Sequence, residues 1–268
     1  MFWGGLLLAG SASAADFYFF NGAGGDSLWT NEGNWGDNGG TPFAPGMGYP
    51  GQTNASDVII ARSRDNGKRA QVGTGDIINA EFLTMWGGSL PGNDGFDMSG
   101  GMIDLNNLFE MGSNGVNVPI EVNVSGGVIN AAVSTLGGVP CCGTPFESDG
   151  TLNVSGTGQV NISGSLSIGN DSAETAPSDG ILNLSGNGMV SVGTLNIGTV
   201  NNNGFVNISE NALLKIDGDV TADIDAHIAS GRIVGVNLGF DGQQTIVGVP
   251  EPSALVLIAL GLLVRRYR

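Results

Sequence analysis

The chain has 268 residues, 47 of them glycine, and only 13% of it is charged, with 25 acidic and nine basic side chains giving a net charge of −16. Glu251 and three arginines fall in the last nineteen residues, which leaves 24 acids against six bases, a net of −18, in residues 15–249. So acidic a body excludes nucleic acid and anionic membrane surfaces as its partners, because those polyanions are held by Lys and Arg.

At the N-terminus, the apolar stretch Phe2–Ala9 is followed by Ser11-Ala12-Ser13-Ala14. Small residues at Ala12 and Ala14 make an A-x-A cleavage site, which predicts a secretory signal over 1–14 and a mature chain from Ala15. No Lys or Arg precedes the apolar stretch, so the basic n-region of such a signal is missing. Residues 15–61 form a distinct segment with Trp29 and Trp35 in the run Gly24-Gly25-Asp26-Ser27-Leu28-Trp29-Thr30-Asn31-Glu32-Gly33-Asn34-Trp35. This W…NW pattern resembles the opening module of secreted, autotransporter-like β-strand-repeat proteins, where it precedes the first coils. The resemblance implies a cap over the open end of a solenoid, whose edge backbone otherwise stays unpaired. The sharper alternative is a glycan-contact platform of Trp29 and Trp35. Arg62, Arg64, Lys68 and Arg69 then form the one local basic cluster, read as a solvated loop.

From residue 62 to 247 the chain repeats itself. Phe96-Asp97-Met98-Ser99-Gly100-Gly101 is matched by Val122-Asn123-Val124-Ser125-Gly126-Gly127, Leu152-Asn153-Val154-Ser155-Gly156, Leu182-Asn183-Leu184-Ser185-Gly186 and Val206-Asn207-Ile208-Ser209. A fainter copy is Ile228-Ala229-Ser230-Gly231-Arg232-Ile233. The serines are 26, 30, 30, 24 and 21 residues apart, a period that marks a solenoid or array. Within each copy the apolar residues alternate with polar ones as in a strand, and second and third strands follow, as in Val160-Asn161-Ile162 and Leu166-Ser167-Ile168. Three short strands per period, without helical periodicity, predict a right-handed parallel β-helix whose Asn123, Asn153, Asn183 and Asn207 stack as a ladder. An antiparallel β-sandwich also spaces strands closely, but it does not require self-similar copies. Length variation is placed in the loops Val139–Asp149 and Asn170–Asp179. The adjacent Cys141-Cys142 lies in the first of these; two cysteines are too few for a disulfide framework.

Catalytic machinery is scarce. His227 is the only histidine and is read as a surface residue; no HExxH, phosphate-binding loop or dinucleotide fingerprint occurs, so no catalytic residue, metal or cofactor is assigned. The acids Asp97, Asp104, Glu110 and Glu121 could line adjacent early coils, and the competing enzymatic reading is a polysaccharide lyase or glycoside hydrolase on the same fold. That reading needs three or more acids with a base on one outer face. The turn-like pairs Asp217-Gly218-Asp219 and Asp223-Ile224-Asp225, and the run Gly22–Asp26, lack full Ca²⁺-ligand spacing. An uncapped end at Gly235–Val249 would instead suit a filament subunit.

The chain closes on Val249-Pro250-Glu251-Pro252, an apolar run of 11 residues from Ala254 to Val264, and Arg265-Arg266-Tyr267-Arg268. Two prolines around a glutamate hold an extended segment, the apolar run partitions into lipid, and the arginines favour the cytoplasmic side. This order resembles the PEP-CTERM sorting signal of exopolysaccharide-producing Gram-negative bacteria. The resemblance implies that Pro250, Glu251 and Pro252 are recognised by an exosortase-type processing enzyme. It also implies a sorting and anchor segment over 248–268, with a C-terminal hydrophobic helix as inner-membrane anchor through Ala254, Leu255, Leu257, Leu260, Leu263, Arg265 and Arg266. The run is shorter than the ~20 residues of a simple span, so flanking arginines are expected to snorkel. Together these features predict an exported protein, held first at the membrane and then at the cell surface or in the matrix, structural or adhesive and associated with exopolysaccharide.

Overall fold

The computed structural model describes residues 17–20, 22–36, 48–52, 58–60, 69–86, 95–113, 119–137, 149–169, 179–198, 204–234 and 237–249. The signal segment 1–14, Cys141-Cys142, the longest loop insertions and the whole tail 250–268, with its sorting and anchor residues, lie outside these. Of the described residues, 63% are strand, in a parallel sheet stacked as a β-solenoid of about five turns.

Strands β1 (Phe17–Phe20), β2 (Trp35–Gly36), β3 (Val58–Ile60), β4 (Ala70–Val72) and β5 (Ile77–Trp86) open the stack. Its middle is β6 (Phe96–Ser113), β7 (Ile120–Ala131), β8 (Val133–Leu136), β9 (Gly150–Val154), β10 (Gln159–Ile168), β11 (Gly180–Leu184) and β12 (Met189–Ile197). It closes with β13 (Gly204–Ile208), β14 (Leu213–Asp217), helix α1 (Thr221–Ala229), β15 (Ile233–Val234), β16 (Asn237–Phe240) and β17 (Gln244–Gly248).

Each coil contributes one strand segment to each of three faces. On the first, Asp97, Asn123, Asn153, Asn183 and Asn207 occupy one register across β6, β7, β9, β11 and β13. On the second, Asp104, Asn130, Asn161, Ser191 and Lys215 do so across β6, β7, β10, β12 and β14. On the third, Thr84, Glu110, Thr135, Ser167 and Asn196 share a register. The alternation seen in the sequence explains the interior. Neighbours of the outward Asn, such as Val122, Leu152, Leu182 and Val206, are no more than 1% exposed and stack coil on coil. Burying each such side chain is worth about 1.5–3 kcal/mol, so the column, more than any strand alone, holds the coils in register.

The strands differ from the predicted short segments in one respect. β6 runs for 18 residues through its corner, because Gly101 at φ 76° turns the chain in a single left-handed residue. Gly127, at φ 80°, repeats the device one coil on. At the coil-closing corner Gly150, Gly180 and Gly204 are stacked in register. A Cβ on Gly180 would collide with the backbone of Gly169 and Leu136, so here only glycine allows the approach.

The weakest copy is corrected by the structure. Ile228 and Ala229 belong to α1, and the strand that joins the stack is Ile233-Val234, paired with Val206-Asn207. Ala222, Ala226 and Ala229 favour a helix, and Ile224 and Ile228, one turn apart, give it an apolar stripe with Ile224 buried. The helix was hidden because its period spans barely two turns. Beyond it, β17 pairs antiparallel with β14, and β16 with β17. The chain's own hairpin thus occupies the edge of β14 that a further parallel coil would use, which removes the support set out for a filament subunit.

Candidate functional site

The first face carries a continuous side-chain ladder, as the repeat predicts. Asn207 Nδ2 donates to Asn183 Oδ1 (2.8 Å), Asn183 to Asn153 (2.8 Å), Asn153 to Asn123 (2.7 Å) and Asn123 to Asp97 Oδ1 (2.8 Å). Every bond runs in the same sense and ends on a carboxylate, so each polarises the next. Asn153 also donates to Glu121 Oε1 at 2.7 Å. Arg69 anchors the base of the ladder: its guanidinium lies 3.0 Å from Asp97 and 3.7 Å from Glu121, and donates to the carbonyls of Phe96 and Glu121. Arg69 is therefore a built-in latch between coils. Its cluster partners Arg62, Arg64 and Lys68 lie outside the described residues.

The second face forms a cleft of about 320 Å³ along the corner between the second and third strands of the coils. One wall is the outward column Asp104, Asn130, Asn161 and Ser191; the other is Asn106, Ala132, Ser163 and Gly193, continued at the far end by Asp217. Between them Leu105, Ala131, Ile162 and Val192 are at most 5% exposed, so they offer main chain as the floor. The second wall is low because its residues are small. Gly193 is required there, since a Cβ would sit 2.7 Å from the carbonyl oxygens of Ser163 and Gly164. Asn161 donates to Asn130 Oδ1 at 3.0 Å. Among the described residues, Asn130 Nδ2, Asn161 Oδ1 and the hydroxyls of Ser163 and Ser191 have no partner, and they edge the cleft.

The two tryptophans are not a glycan platform. Trp29 and Trp35 are both 0% exposed, with ring centroids 4.7 Å apart. Trp35 packs on Phe20 and Trp29 on Phe96, and the indole N–H groups donate to Trp29 O and Pro50 O. With both faces and both polar tips occupied inside the first coils, no sugar ring can stack on them. The neighbouring Asp26 accepts from Leu28 N, Asn31 Nδ2 and Asn34 Nδ2, an arrangement of amides around a turn carboxylate.

The acids that could have formed a catalytic constellation are spread over the faces. Asp97 and Glu121 sit with Arg69, Asp104 is on the second face, and Glu110 on the third accepts from Thr84 Oγ1 at 3.4 Å. Among the described residues no three His, Cys, Asp or Glu side chains are gathered as a metal ion would need. Asp217 accepts from Gln244 and Asp219 from Thr221, both as local turn and hairpin contacts. His227 is half-buried on α1 and not fully on the surface. Burial and the nearby Arg232 hold its imidazole below the usual range, against the opposing pull of Asp223, so it is neutral at pH 7. No helix of the described residues is long and apolar enough to cross a membrane.

Compared with protein-family models, curated proteins and solved structures, the chain matches none, so any functional reading rests on its own residues.

Proposed function

We propose that the chain is an exported solenoid of the cell surface or extracellular matrix, structural or adhesive, associated with exopolysaccharide and sorted through Pro250-Glu251-Pro252. The observation that carries the reading is the ladder Asp97–Asn123–Asn153–Asn183–Asn207, which fixes one rigid face of repeated amides over five coils. The ladder locks the coils into one register, so the amide and hydroxyl groups on the neighbouring faces stand at a fixed spacing, and a hydroxyl-rich polymer meets them with little ordering cost. The tail supports the place where this face is displayed. Pro250, Glu251 and Pro252 are the substrate of an exosortase-type enzyme, and the segment from Ala254 with Arg265 and Arg266 is a transient inner-membrane anchor.

The test is to express the chain in an exosortase-positive host, with and without Pro250, Glu251 and Pro252 all changed to Ala. The mature C-terminus is then read by mass spectrometry of envelope and medium. The proposal expects the tail to be lost from the native chain and kept in the variant. An intact tail in both would remove the sorting reading.

A further inference from the structure

We infer that the cleft on the second face seats one uncharged, linear polysaccharide chain lying parallel to the solenoid axis. This rests on the exopolysaccharide reading and gives it a place and a ligand class. Three observations converge on it. The cleft, about 320 Å³, is at the small end of ligand sites and open along the axis, so it suits a thin extended chain and not a compact molecule. Its wall repeats with the coils, about 4.8 Å apart, close to the advance of one sugar in an extended glycan, so successive sugars meet equivalent groups. Those groups are uncharged between the two ends: Asn130, Asn161, Ser163 and Ser191 offer amide and hydroxyl atoms that no protein group satisfies among the described residues.

Charge then narrows the ligand. Asp104 stands at one end of the cleft and Asp217 at the other, and the body around them carries a net −18. A uronate polymer would meet Asp104 at one end and Asp217 at the other. Lys215, next to Ser191 in the same column, is the one cation near them among the described residues, so in a body of net −18 repulsion outweighs attraction and costs affinity. The first face is a different surface. Its amides are consumed by the ladder, each Asn donating to the next, whereas the second face has broken its ladder and left groups open. The floor between the walls is main chain, and the low wall of Ala132, Ser163 and Gly193 gives access to it.

The test titrates the exported chain, in detergent, with uncharged hexasaccharides of β-1,4-glucose, β-1,3-glucose, β-1,4-mannose and β-1,4-N-acetylglucosamine, and with hexagalacturonate. Ala132→Trp fills the cleft, and Ser163→Glu, at an exposed position, adds a charge without touching the core. Asn207→Ala, at the end of the first-face ladder, is the control. At least one uncharged hexasaccharide is expected to bind, and both cleft variants to weaken it by about tenfold or more, with the control unchanged. Binding that survives both cleft variants would place the glycan elsewhere, overturning the inference and leaving the adhesive reading intact. Preference for hexagalacturonate would overturn the ligand class. If no hexasaccharide binds, the same variants are read against exopolysaccharide purified from the host, and failure of the native chain to bind that polymer would sink both readings together.

Discussion

Replacing Trp29 with Ala is expected to destabilise the solenoid by about 3–5 kcal/mol, the largest effect of any single truncation near its N-terminal end. The indole is 0% exposed and lies edge-on to Trp35 and Phe96, at centroid distances of 4.7 and 5.8 Å. Its removal opens a cavity that the strands around it cannot close, because β1, β3 and β5 are tied by parallel pairing. It also leaves the buried Pro50 carbonyl without its donor at 3.1 Å. Trp29→Phe keeps most of the volume and loses the donor, so about half the loss is expected. Because end coils have a neighbour on one side only, the damage should spread through the first rungs and spare the last. Denaturant midpoints measure the total, and amide hydrogen exchange locates it. A loss under about 1 kcal/mol would show that the aromatic cluster is not what closes this end.

The second large effect concerns the amide ladder. Asn153 stands in its centre, donating to Asn123 and Glu121 and accepting from Asn183. Asn153→Ala removes all three bonds and is expected to cost about 1–2 kcal/mol, since the site is half-buried and water replaces part of what is lost. Asn153→Asp is expected to cost more, about 3 kcal/mol, although it is nearly isosteric. A carboxylate there points acceptors at the oxygens of Asn123 and Glu121, positions now 2.7 Å away. The pH dependence separates this cause from simple loss of packing. The folded state disfavours the new charge, so the introduced carboxyl titrates above its unfolded value. Its penalty is therefore full above the folded value and is relieved as pH falls through it, when the protonated carboxyl becomes a donor again. Stability relative to the native chain, measured from pH 7 down to pH 4, should rise for the Asp variant and stay level for the Ala variant. Equal, pH-independent losses in both would mean that the amides stack without forming a bonded chain.

How much of this was legible in the sequence follows from what repeats. Asn123, Asn153, Asn183 and Asn207 could be placed because identical residues at one period must fall in identical surroundings, and register then makes the ladder. Val122, Leu152, Leu182 and Val206 were legible for the same reason. The cleft was not. Its low wall repeats in size and not in identity, as Ala132, Ser163 and Gly193, and it becomes concave only where the coils bend. Arg69 was misread as loop charge because its partners Asp97 and Glu121 lie one and two coils further on, at a distance that only register reveals. Trp29 and Trp35 carried an ambiguous signal. An aromatic pair in a Gly- and Asn-rich segment suits a cap first and a sugar platform second, and their burial decides for the interior. The helix α1 was lost because two turns with alanines interrupt a strand pattern too briefly to establish a period of their own.

The most direct test of the central claim, that this solenoid holds exopolysaccharide without turning it over, is a single incubation. Exopolysaccharide purified from an exosortase-positive host is mixed with the exported chain, and both are followed by size-exclusion chromatography with light scattering. The account predicts that protein moves with the polymer while the polymer's molar mass stays constant over hours. A falling molar mass, with new reducing or unsaturated ends, would make the chain an enzyme on this fold, and separate elution of protein and polymer would contradict the association itself.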